Sequence, residues 1–76
     1  MKCISIFENS RAEAWDVYSG MDPIDGNELN QFDTREEAIA YGQNVVSAST
    51  ILVVESGELA GYTQKFEQND SGYVEA

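Results

Sequence analysis

The chain has no histidine, a single cysteine (Cys3), a single proline (Pro23) and four basic residues among its 76. Each scarcity closes off some chemistry. Without histidine the commonest general base and metal ligand near neutral pH are missing, and neither a Ser-His-Asp triad nor a Cys-His pair can be assembled. One cysteine rules out an intrachain disulfide. A domain this small without such staples fits a reducing compartment, so the cytoplasm is the expected location. Apolar runs are short: none approaches the ~20 residues that span a bilayer. The apolar start, Met1 to Phe7, is cut by Glu8 and is too short for a secretory signal. Lys2, Arg11, Arg35 and Lys65 are too few to neutralise nucleic-acid phosphates or an anionic membrane, so direct binding to either is not expected.

What the chain does have is acid. Fourteen Asp and Glu give a formal net charge of −10 at pH 7. Such a surface attracts basic partners and steers their approach, and it also keeps a small domain soluble. A hydrophobic fraction of 42% and an aromatic fraction of 11% mark a folded protein despite the charge. Seventy-six residues make one domain with a thin core, since a chain of this length buries only roughly 60% of its unfolded surface. That leaves little space for an enclosed pocket of ~300–1,000 Å³. Binding is expected, not catalysis, with no cofactor.

Alternation over 2–8 (Ile4 and Ile6 against Cys3, Ser5 and Phe7) predicts a first strand. Ala14 to Ser19 predicts a second, with Trp15 and Val17 on one face and Asp16 and Tyr18 on the other. Residues 20–30 read as a loop, with Asp25-Gly26 as its turn and only a weak strand pattern near Leu29 to Phe32. Thr34 followed by Glu37 is a capping box that starts a helix, with Phe32 placed to pack on Ala38 as a staple. Ala38, Ile39, Gly42, Val45, Val46 and Ser49 then form an apolar or small stripe. Gly42 in mid-helix implies close approach to the sheet. Ile51 to Val54 is apolar on both sides and predicts a central strand. After the turn at Gly57, Leu59 to Phe66 predicts a fourth, antiparallel strand. The fold expected is α+β: one helix on one face of a mainly antiparallel four-stranded sheet, in the order β-β-α-β-β. It fills residues 1–66, and 67–76 are a flexible acidic tail.

Three segments are typical of a known family: Trp15-x-Val17, the helix start Phe32-Asp33-Thr34-Arg35-Glu36-Glu37-Ala38-Ile39, and the aliphatic strand Ile51 to Val54 with the Gly57 turn behind it. In these the chain resembles, over 15–66, the small bacterial and phage domains grouped as DUF2188. It differs in lacking basic residues in the helix after Arg35 and in its longer, acidic link before the helix. The resemblance implies the fold and carries no activity, because that family has no established one. In size, acidity and want of catalytic residues the chain is also similar to phage-encoded anti-defence proteins, anti-CRISPR proteins among them. For a phage protein the compartment would be the host cytoplasm.

The candidate binding residues follow from charge and exposure. Asp22, Asp25 and Glu28 share the long loop, Asp33, Glu36 and Glu37 surround the helix start, and Glu55 and Glu58 sit at what reads as the opposite turn. Tyr18 and Tyr41 offer aromatic bodies with polar tips, suited to a protein interface. The loop carboxylates do not make an EF-hand: counted from Asp22 the glycine falls one position early and no glutamate closes the loop, so no metal is expected. Cys3 reads as structural. The expected partner is a protein with a basic, nucleic-acid-handling surface that carboxylates can occupy in place of phosphates. The alternative is a structural or regulatory interaction module, monomeric or homodimeric through a sheet edge or apolar patch.

Overall fold

A computed structural model describes residues 3–20, 26–58 and 61–76. The strands are β1 (Cys3–Asn9), β2 (Ala14–Ser19), β3 (Glu28–Phe32), β4 (Thr50–Val54), β5 (Gln64–Asn69) and β6 (Gly72–Glu75), with helix α1 (Arg35–Tyr41) between β3 and β4. They form one sheet in the spatial order β3-β2-β1-β4-β5-β6. All neighbours are antiparallel except the central pair, β1 and β4, which run parallel.

This corrects the four-stranded, mainly antiparallel β-β-α-β-β expectation: among the described residues the sheet has six strands and is mixed. The chain makes one meander (β1-β2-β3), crosses over through the helix, and lays β4 along the free edge of β1. A second meander (β4-β5-β6) then grows the other way. The aliphatic run of β4 does mark a central strand, but local pattern does not say which neighbour it takes or in which direction. Both outer strands are edges and read weakly for a physical reason. Glu28, Asn30 and Gln31 of β3 and Val74 and Glu75 of β6 face solvent, so neither strand shows a full apolar alternation. The segment expected as a tail carries the last hairpin, with β5 lying further along than the 59–66 expected and Leu59 and Ala60 outside the described residues. Tyr73 packs on the core, and its hydroxyl donates to the Ala48 carbonyl at 2.6 Å.

Pairing in register puts Ile4 and Ile6 beside Ile51 and Val53 on one side and Ile6 beside Val17 on the other. All five are fully buried beneath Ala38 and Ala48. The Thr34 hydroxyl accepts from the Glu37 amide at 3.2 Å and donates to Glu37 Oε1 at 3.0 Å, so the cap closes hydroxyl to carboxylate. Phe32 packs on Tyr41, centroids 5.1 Å apart, where the staple reading had Ala38. Gly42 is buried against the sheet: a Cβ there would stand 2.5 Å from Ile4 Cδ1 and 3.2 Å from Ile51 Cδ1.

From Gly42 to Val46 the backbone widens into a π-helical turn, closed by Ser47 in the left-handed region (φ 56°), with the Ser47 and Ala48 amides donating to the Gly42 carbonyl. The wider turn shifts the phase of the stripe. Val45, expected inward, is 71% exposed, while Val46 packs on the core. No helix among the described residues is long and apolar enough to cross a membrane.

Candidate functional site: the acidic end of the sheet

Strand direction decides which carboxylates share an end of the sheet. Because β1 and β4 are parallel and β3 is antiparallel to β2, the strands β1, β3 and β4 all end at the same end of the sheet. The β1–β2 turn and the start of α1 lie there too. This end gathers Glu8, Glu13, Asp33, Glu36, Glu37, Glu55 and Glu58: seven carboxylates, with Arg11 and Arg35 the cations in the same segments. All seven are exposed but Glu58, which is half-buried. The Ser56 amide donates to Glu8 Oε1 at 2.9 Å, tying the end of β1 to the turn after β4. From β3 to β4 the end spans three strand spacings, about 14 Å.

The sequence candidates divide accordingly. Asp22 and Asp25 lie outside the described residues. Glu28 starts β3 at the far end of the sheet, four strand residues (about 13 Å) before the Phe32 end. Asp33, Glu36 and Glu37 are brought together, and Glu55 with Glu58 joins them at the same end instead of facing them from the opposite turn. Tyr18 and Tyr41 are separated by the sheet. Tyr41 stands on the helix side, whereas Tyr18 lies on the reverse face, edge-on to Phe7 at 5.9 Å. By strand alternation that reverse face also carries Cys3, Ser5, Asp16, Leu52, Val54 and Lys65, and no helix among the described residues covers it.

Among the described residues, the reverse face holds the perturbed titratable groups. Burial, then the carboxylates of Asp16 and Glu28, push the Tyr18 hydroxyl above its ordinary pKa. Burial alone pushes up the Cys3 thiol, which leans on the Ile4 carbonyl at 3.7 Å. A thiol held protonated is a poor nucleophile. Asp16, 7% exposed, accepts from Asn9 Nδ2 at 3.1 Å and Gln31 Nε2 at 2.7 Å. Asn9 in turn accepts the Ala12 amide at 3.2 Å. The buried carboxylate thus braces the β1–β2 turn from below. Among the described residues no three acidic or cysteine side chains converge to hold a metal ion.

Beside that turn lies an open cleft of about 330 Å³, walled by Glu8, Asn9, Ser10, Glu13, Ala14 and Trp15. Trp15 is the chain's one tryptophan and stands opposite Glu8 in the β1–β2 register. Neither Glu8 nor Glu13 stands out in the sequence, since one ends a strand and the other sits in a turn. Pairing and turn geometry bring them to one cleft. No protein-family model, curated protein or solved structure matches this chain.

Proposed function

We propose that the chain is an acidic protein-binding module that docks its carboxylate-rich end on a basic surface of a nucleic-acid-handling protein and keeps nucleic acid off it, in the manner of a phage-type inhibitor. The observation that supports this is the gathering of seven carboxylates at one end of the sheet. Individually such exposed charges contribute little, typically ~0.2–1 kcal/mol per ion pair. Together they speed encounter and fix orientation, and their effect fades as salt shortens the Debye length to about 3 Å at 1 M.

The test is affinity measured at low and high salt against basic nucleic-acid-binding proteins, with and without competing nucleic acid. It compares the native chain with a D33N/E36Q/E37Q/E55Q variant. Glutamine at 37 keeps an oxygen to accept from Thr34, so the helix start survives. Binding that weakens at least about tenfold in the variant and is displaced by nucleic acid supports the reading. Binding that ignores the substitutions sinks it.

A second reading draws on the reverse face, where Phe7, Tyr18 and Val54 are half-buried with no helix above them among the described residues. There the chain is a structural or regulatory module, in its homodimeric form pairing with a second copy, and acidity serves only solubility. Sedimentation separates the two: a concentration-dependent dimer favours this second reading and a monomer the first.

A further inference from the structure

We infer that the cleft beside the β1–β2 turn is a receptor for a guanidinium group, the tip of an arginine side chain on the partner; the inference rests on the docking reading and gives it a specific anchor. Two carboxylates alone would be acidic surface and nothing more. Here Glu8 and Glu13 wall an open cleft of about 330 Å³ together with Trp15, and its six lining residues include no cation.

Four of the six walls are held in place before any ligand arrives. Glu8 is fixed through Oε1 by the Ser56 amide. Asn9 is held at both ends of its side chain, by the Ala12 amide and by Asp16. Ala14 is 7% exposed and lies in the first residue of β2, and Trp15 is anchored by packing on the core. Such bracing reduces the ordering that binding must impose.

The ligand class follows from the lining. A carboxylate pairs with a guanidinium through two parallel N–H···O bonds, and an indole offers a face on which the same planar cation stacks. A lysine ammonium is compact and strongly hydrated, so a cleft this open would leave it in water, whereas the guanidinium sheds water readily.

Trp15 reports on its own site. The full chain is titrated at low salt with N-acetyl-arginine amide, and Trp15 fluorescence is followed. The lysine and glutamine amides and sodium chloride at matched ionic strength serve as comparisons. A saturable change specific to the arginine amide is expected. Glu8→Gln with Glu13→Gln should raise its half-saturation concentration at least about tenfold, whereas Glu36→Gln with Glu37→Gln should change it less than about twofold. Glutamine at 8 retains an oxygen for the Ser56 amide, and residue 13 is an exposed turn position, so both variants fold; circular dichroism checks this.

No saturable change, an equal response to lysine amide or salt, or indifference to the Glu8 and Glu13 substitutions would overturn the inference. The docking reading and the cleft can fail separately. If the arginine amide saturates the cleft but no basic protein binds, the docking reading fails and the cleft stands. If a basic protein binds but both variant pairs weaken it equally, the docking reading stands and the cleft falls.

Discussion

At the scale of single residues, Tyr18 carries the clearest pH consequence. Burial and the neighbouring Asp16 and Glu28 raise its pKa in the folded state, while the unfolded chain keeps the ordinary value of about 10. Between the two values the folded form holds a proton that the unfolded form has released. Stability from this group is therefore complete below about pH 10 and is lost as pH rises through the folded value. Urea midpoints measured across this alkaline range should fall more steeply for the native chain than for Tyr18→Phe. Parallel curves would show that Tyr18 is not the group responsible. Asp16 is only partly legible in the sequence. Alternation places it on the same face as Tyr18, but its burial under two side-chain amides depends on Gln31 of β3, a strand that sequence pattern barely registers.

At the scale of elements, Gly42 sets how closely the helix meets the sheet. Alanine there would gain about 1 kcal/mol of helix propensity, yet its Cβ would press on Ile4 Cδ1 at 2.5 Å and Ile51 Cδ1 at 3.2 Å. Overpacking of a filled core typically costs ~1–3 kcal/mol, so Gly42→Ala should be destabilising by about 1 kcal/mol net. Trimming the obstructing methyl with Ile4→Val should relieve part of that cost, giving a coupling above about 0.5 kcal/mol in a double-mutant cycle by urea denaturation. Strict additivity would mean that the helix lifts away instead.

The same elements show what a sequence can carry. The Thr34 cap and the Gly42 approach are written in local chemistry, and both are present. Val45 is not where its spacing puts it, because the π turn alters the period within one helix. That Glu55 and Glu58 share one end of the sheet with the helix-start acids depends on β4 running parallel to β1, a pairing with no local signature.

At the scale of the molecule, four basic residues against fourteen acidic ones leave the folded chain repelling itself. Sodium chloride should therefore raise the melting temperature most between about 0.01 and 0.15 M, where the Debye length shrinks from about 30 to about 8 Å. A flat profile over that range would mean that the carboxylates stand far enough apart to cost the fold nothing.

The parallel central pair has a consequence for how the chain comes into being. Residues paired between β1 and β4 lie 47 positions apart, whereas β1 and β2 can close as a hairpin soon after they are made. During synthesis, which proceeds at about 5–20 residues per second, the first meander stands for seconds with the inner edge of β1 open. Only when Val54 has emerged can β4 fill it. Long-range pairing of this kind is slow, and an open apolar edge invites other strands. A nascent chain stalled before residue 50 would present an aggregation-prone half-sheet, and release of the next few residues turns that edge into the centre of the core.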